Sequence, residues 1–161
     1  MPSKPSIYQR RVRELMVSDV VCVGPLDALS EALSLMVENR VSALPVVDAN
    51  ERCLGVISAT DLLGLARDLG EDLNALAQLG GLARNLLVEK LTHSELLAQP
   101  VQELMSDQVV CCGPEDLLPQ VAAMMVRNHV HRVVVTDGKK RVIGILSTMD
   151  LLDAFAASAE S

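Results

Sequence analysis

An internal repeat restricts how this chain can fold more than any other feature. "VRELMVSDVVCVGPLDAL" from Val12 returns as "VQELMSDQVVCCGPEDLL" from Val101. "VSALPVVD" (41–48) is matched by "VHRVVVTD" (130–137), and "GVISATDLL" (55–63) by "GILSTMDLL" (144–152). The offset is 89 residues throughout, and about 23 of about 52 aligned positions are identical without a gap. A unit of about 50 residues alone buries too little surface to be stable, so two copies must pack together. Face-to-face packing about a pseudo-twofold axis is the expected solution.

Both copies carry the same pattern of elements. A short helical lead-in holding Glu-Leu-Met precedes an apolar strand (Val20–Val23; Val109–Cys112), which Gly-Pro breaks. An aspartate placed to cap (Asp27; Asp116) then opens an amphipathic helix. Leu29, Ala32, Leu33 and Met36 recur there at helical spacing, as do Leu118, Val121, Ala122 and Met125 in the second copy. Two strands joined by a polar turn follow, and a last helix begins near Thr60 or Met149. The expected fold class is therefore α/β (α+β), built from two β-α-β-β-α repeats. The expected divisions are an N-terminal arm (1–11), the first repeat (12–63), a helical connecting segment (64–100), the second repeat (101–155) and a tail (156–161). The connecting segment is too rich in Leu and Ala for a flexible linker, and its apolar faces call for a partner such as a second subunit.

Composition excludes several functions. A net charge of −7 argues against nucleic acid or an anionic membrane as partner. Tyr8 and Phe155 are the only aromatic residues, so any bound base must lie between aliphatic side chains. No stretch is apolar enough to span a membrane, and "MPSKPSIYQRRVREL" lacks the apolar core of a secretory signal. Cys22, Cys53, Cys111 and Cys112 form no Cys-x-x-Cys motif and read as reduced thiols of a cytoplasmic protein.

The paired pattern of strand-Gly-Pro-Asp-helix, then Val-Ser-x-x-Pro-Val-Val-Asp, then Gly-h-h-Ser-x-x-Asp-Leu-Leu (h, apolar) resembles the cystathionine-β-synthase (CBS) domain, present twice as a Bateman module. The resemblance covers about two-thirds of the chain, and the repeats resemble those of the gamma subunit of AMP-activated protein kinase. It implies a regulatory module that senses an adenine nucleotide (AMP, ADP or ATP) in the cleft between the repeats. S-adenosylmethionine ranks behind these. A homodimer and a separate effector protein are implied as partners, and no cofactor is required.

Such a ligand needs a dry slot for the base, acceptors for the ribose hydroxyls, and donors or positive charge for the phosphate. In Gly-h-h-Ser-x-x-Asp a strand ends at Ser147 and a helix begins, which puts Asp150 in the first turn as a ribose acceptor. Ser147 and the helix-start amides offer donors to a phosphate. The resemblance, carried over by matched positions, implies two sites. The favoured site combines His131, Arg132, Ser147, Met149 and Asp150 with Met16, Val21, Val41, Ser42 and Pro45. The second combines Ser42, Ala43, Ser58, Thr60 and Asp61 with Met105, Val110, Val130 and His131.

The two sites are unequal because His131 and Arg132 stand where the first copy has Ser42 and Ala43. An anionic ligand is therefore expected at the Asp150 site, with the Asp61 site weaker or empty. The bland reading of both Ser-x-x-Asp segments is that they merely cap a helix. Strand alternation puts His129 and His131 on one face, which raises a metal site with Cys111 or Cys112, but no third ligand has suitable spacing and none is expected. Cys111 and Cys112 read as small apolar residues facing opposite ways, and Arg127 as solvated. No phosphate-binding Gly-rich loop, Gly-x-Ser-x-Gly elbow or carboxylate pair is present, so an enzyme is not expected. The alternative to a nucleotide sensor is a ligand-free CBS pair that only dimerises or docks.

Overall fold

The computed structural model describes residues 6–68 and 95–159. The short helices expected over 64–100 lie mostly outside the described residues. Four α-helices and five strands are described: α1 (Leu29–Asn39), β1 (Ala43–Val47), β2 (Cys53–Ser58), α2 (Ala59–Asp68), β3 (Cys111–Cys112), α3 (Leu118–Asn128), β4 (Arg132–Thr136), β5 (Val142–Ser147) and α4 (Thr148–Ala159). The fold is mixed α+β with two small sheets, as the repeat predicts. None of the described helices is long and apolar enough to cross a membrane.

The chain forms two compact units, and these do not coincide with the two sequence copies. One unit joins residues 1–20, 50–53 and 108–161, and the other joins 21–49 and 54–107. In the first unit β3 pairs in parallel with β4, Cys111 opposite Val134, and β4 pairs antiparallel with β5, Arg132 opposite Ser147. Its core is Val12, Cys112, Leu118, Val121, Met125, Val133, Val135 and Leu146. Val12 belongs to the lead-in of copy one, yet it is fully buried among residues of copy two. Backbone bonds hold it there: Val12 N–H donates to the Asp116 carbonyl at 3.0 Å, and Val17 and Ile145 exchange N–H···O bonds of 2.9 and 3.0 Å. Arg13 adds an exposed ion pair to Glu115 at 2.9 Å.

The second unit mirrors this with the other lead-in. β1 and β2 form its sheet, and its core gathers Val23, Leu29, Ala32, Leu33, Met36, Leu44, Val46, Ile57 and Leu62 with Leu97 and Val101. Val56 and Ser106 exchange N–H···O bonds of 2.9 Å each, repeating the Val17–Ile145 pair. Each lead-in therefore packs on the opposite copy.

Glycine permits that approach. A Cβ on Gly55 would stand 2.6 Å from the Ser106 carbonyl oxygen and 2.9 Å from Met105 Sδ. On Gly144, the equivalent residue, it would stand 2.7 Å from Met16 Sδ and 3.2 Å from the Val17 carbonyl oxygen. Only a residue without a side chain lets the backbones pair this closely.

Three local expectations are corrected. The strand expected over Val20–Val23 is only a single parallel bridge, Val23 to Val46, and that over Val109–Cys112 shortens to Cys111–Cys112. Asp27 and Asp116 do not cap α1 and α3. Their Oδ2 atoms accept from Gly24 N–H at 2.7 Å and Gly113 N–H at 2.8 Å, closing the Gly-Pro turn. The helices start two residues later, so the carboxylates lie outside capping position.

Finally, His129 is not on a strand. It ends α3 in the left-handed conformation (φ 53°), as Arg40 ends α1 (φ 54°). Val130 N–H then reaches the Met125 carbonyl at 3.1 Å, and Val41 N–H the Met36 carbonyl at 3.0 Å, a Schellman closure that glycine usually serves. The shared face proposed for His129 and His131 therefore does not exist.

Gly55→Ala is expected to destabilise the protein by about 1–3 kcal/mol through overpacking against backbone. Gly138→Ala, where an added Cβ meets nothing within 4 Å, should leave stability unchanged or slightly raised. Urea unfolding of the two variants checks the contrast.

Candidate functional site

The residues that could do chemistry gather where a hairpin runs into a helix, once in each unit. In the first unit β5 ends at Ser147 and α4 starts at Thr148, with β4 alongside beginning at Arg132. The antiparallel register sets Arg132 opposite Ser147, and Thr148 N–H donates to the His131 carbonyl at 2.9 Å. His131, Arg132, Ser147, Thr148 and Asp150 are thus fixed at one corner by backbone pairing.

At that corner Ser147 and Asp150 form a reciprocal cap. Asp150 Oδ2 accepts from Ser147 N–H at 2.8 Å and from Ser147 Oγ–H at 2.9 Å, while Asp150 N–H donates to Ser147 Oγ at 3.2 Å. This is a capping box with Asp in place of Glu, and it satisfies helix-start donors. The bland reading of the motif is therefore correct as far as it goes. It also leaves something over: Oδ1 of Asp150 accepts no hydrogen bond among the described residues. A half-buried carboxylate held by one oxygen presents the other as a fixed acceptor, which suits a hydroxyl donor.

The second unit repeats the geometry atom for atom. Asp61 Oδ2 accepts from Ser58 N–H at 2.8 Å and Ser58 Oγ–H at 2.9 Å, and Ala59 N–H donates to the Ser42 carbonyl at 2.8 Å. The difference lies in the side chains. Exposed His131 and Arg132 replace half-buried Ser42 and Ala43, and half-buried Thr148 replaces Ala59. The repeat offset marks Thr148 as a further difference between the corners, adding a hydroxyl where its twin Ala59 has a methyl.

The remaining expected site residues divide by unit. Met16, Met149, Val110 and Val130 lie in the same unit as Asp150. Met16, Val110 and Val130 pack on its core, and Met149 is exposed. Thr60, Met105, Val21, Val41 and Pro45 lie in the same unit as Asp61. Val21, Val41 and Met105 pack on that core, Pro45 is buried and Thr60 is exposed.

Among the described residues, no three His, Cys, Asp or Glu side chains gather to hold a metal ion. Each corner offers an acceptor oxygen and helix-start polarity, and the Asp150 corner alone adds a guanidinium and an imidazole.

The cysteines differ in environment. Cys112 points into the core, and burial, followed by the neighbouring Asp116 and Cys111, pushes its thiol up to about 12. Cys111 faces outward, and a hydrogen bond from the Cys53 thiol lowers it to about 7 against the opposing effect of partial burial. At the β4–β5 turn, Asp137 is held below the usual carboxylate range, chiefly by the Arg141 backbone N–H.

Comparison with known proteins shows the family and the fold. The family profile of the CBS domain matches residues 12–68 and 101–157. The chain is 30% identical over 158 residues to 5′-AMP-activated protein kinase subunit gamma-3 of Sus scrofa, covering 96% of this chain and 27% of that protein. It therefore spans about a quarter of that relative's length. The crystal structure of CBSX2 in complex with AMP is 25% identical with a TM-score of 0.69, covering 94% of this chain and 98% of that one. The CBS domain pair of protein MJ0100, in complex with 5′-methylthioadenosine and S-adenosyl-L-methionine, shares the fold at 18% identity and a TM-score of 0.66, covering 92% and 97%.

Asp61→Ala and Asp150→Ala each remove one reciprocal cap of the same geometry. Each is expected to cost about 1 kcal/mol, and thermal unfolding should register similar losses in the two variants. A much larger loss in one of them would show that its carboxylate does more for the fold than cap a helix.

Proposed function

This chain belongs to the CBS domain family, and from that premise we propose that it is a regulatory module that binds an adenine nucleotide at the Asp150 corner. One observation carries the reading: backbone pairing fixes Arg132 and His131 beside a helix start whose aspartate keeps one oxygen open, and the twin corner lacks both basic side chains. The open Asp150 oxygen accepts from ribose. Arg132 forms a charge-assisted bond with phosphate, and Ser147, Thr148 and His131 stand beside it. Met16, Val110 and Val130 supply aliphatic surface for a base in a protein almost without aromatic residues. CBSX2, described with AMP, supports the choice of ligand. The Asp61 corner, with Ser58 and Thr60 but no cation at positions 42 and 43, binds more weakly. The module transmits occupancy to a separate effector protein in the cytoplasm and performs no catalysis.

Calorimetric titration with AMP, ADP, ATP, S-adenosylmethionine and adenosine tests this. Saturation at about 100 times the dissociation constant should raise stability by roughly 2.7 kcal/mol. Arg132→Ala should weaken AMP about tenfold or more, the value of a charged hydrogen bond, and leave adenosine unchanged. No binding of any adenosyl compound overturns the reading. AMP binding undiminished in Arg132→Ala overturns the phosphate assignment.

We further propose that the chain is a homodimer. Beside α4, whose Met149, Leu152 and Phe155 are about 60% exposed, lies an apolar cavity of about 230 Å³ lined by Ile7, Tyr8, Leu118, Pro119, Leu151 and Phe155. Such a face is unfavourable in water and suited to a second copy. Light scattering should give a dimer for the wild type and a monomer for Phe155→Glu. A wild-type monomer at micromolar concentration overturns the proposal.

A further inference from the structure

Two arginines that are repeat equivalents face each other in the first unit. Arg52 and Arg141, one repeat offset apart, form an antiparallel bridge, and both are exposed. Cys53 N–H donates to the Lys140 carbonyl at 3.3 Å, and Val142 N–H to the Glu51 carbonyl at 3.0 Å. These two bonds are equivalent at the same offset, so a local twofold axis passes between the arginines. The flanking residues make the bonds, which puts Arg52 and Arg141 in a non-hydrogen-bonded pair. That is the closer of the two antiparallel arrangements, with Cα atoms about 4.5 Å apart and both side chains leaving one face.

The second hairpin turn fixes one of the two guanidiniums. Asp137 Oδ1 accepts from Lys139 N–H at 2.8 Å and from Arg141 N–H at 3.0 Å, and its Oδ2 accepts from Arg141 Nε–H at 2.7 Å. Asp137 is thus used in closing the turn, while the Nη atoms of Arg141 donate to nothing among the described residues. Lys139 and Lys140 are exposed on the same turn. Across the two turns, Arg52, Lys139, Lys140 and Arg141 outnumber Asp48, Glu51 and Asp137, in a chain whose net charge is −7. Like charges directly opposite each other weaken a ladder. An oxyanion that accepts from both guanidiniums removes that repulsion and adds charge-assisted bonds.

We infer that Arg52 and Arg141 form a binding site for a free oxyanion of the phosphate class, set on the local twofold axis. It is separate from the nucleotide corner, because Arg132 begins β4 and Arg141 follows the turn that ends it. Five residues of strand, roughly 15 Å, lie between the two. A site on a twofold axis offers the same donors from either side, which suits an ion whose oxygens are equivalent. Arg141, oriented by Asp137, gives the fork its fixed half.

Titration of the full isotope-labelled chain with inorganic phosphate, at neutral pH and at an ionic strength held constant with sodium chloride, tests the inference by NMR. The expected result is a saturable shift of the amides of residues 51–53 and 139–142 and of Arg141 Nε–H, retained in Arg132→Ala. Arg52→Gln should weaken phosphate about tenfold or more, the value of a charged hydrogen bond, and leave AMP binding as in the wild type. Arg141→Lys, which keeps the charge and loses the fork, should also weaken it. Glycerol phosphate, whose ester oxygen breaks the symmetry, should bind more weakly than phosphate, and equal binding overturns the assignment to a free anion. Shifts that follow ionic strength alone, shifts lost in Arg132→Ala, or binding undiminished in Arg52→Gln overturn the site.

Discussion

Everything in each unit rests on a strand accepting, along its edge, a lead-in segment that comes from the other copy. Val17 exchanges two backbone bonds with Ile145, and Ser106 exchanges two with Val56. These bonds require backbones to approach at Gly144 and Gly55, where a methyl group would meet sulfur or a carbonyl oxygen at under 3 Å. Behind them the lead-ins bury Val12 and Val101 completely and so complete the two cores. Without the exchange each roughly fifty-residue copy would present an open apolar face, and a domain of that size has little stability to spare. The candidate binding corners inherit their rigidity from this arrangement, since β5 carries both the lead-in pairing at Ile145 and the Ser147 that starts the cap.

The repeat then gives the protein two versions of one scaffold. Backbone features recur at the 89-residue offset even where they are unfavourable, as at the left-handed Arg40 and His129 and at the left-handed Glu51 and Lys140 of the hairpin turns. The three hydrogen bonds of each cap have the same lengths, 2.8, 2.9 and 3.2 Å. On such a scaffold, side chains can change without altering geometry. Exchanging Ser-Ala for His-Arg at one corner and Ala for Thr in the adjoining helix adds a guanidinium, an imidazole and a hydroxyl to an otherwise equal scaffold.

Much of the fold was legible in the sequence because the repeat is nearly ungapped and the local periods are clean. α1, α3, both hairpins and the starts of α2 and α4 lie where the apolar spacing puts them. For Asp27 and Asp116 the local sequence is ambiguous, because an acidic residue near a helix start closes a preceding turn as readily as it caps, and the choice depends on where the helix begins. Strand alternation does not reach His129 or His131, because β4 begins only at Arg132 and His129 ends the helix before it.

The sequence by itself determined the two-copy α+β organisation, the Ser-x-x-Asp helix starts and the charge difference between the corners. Each of these follows from local chemistry or direct comparison of equivalent positions. Tertiary structure alone decided which copy receives which lead-in. The lead-ins share the pattern Val-x-Glu-Leu-Met, so either copy offers them the same glycine edge and the same apolar socket. Local pattern is degenerate between those two outcomes. The three-dimensional course of the backbone breaks the tie.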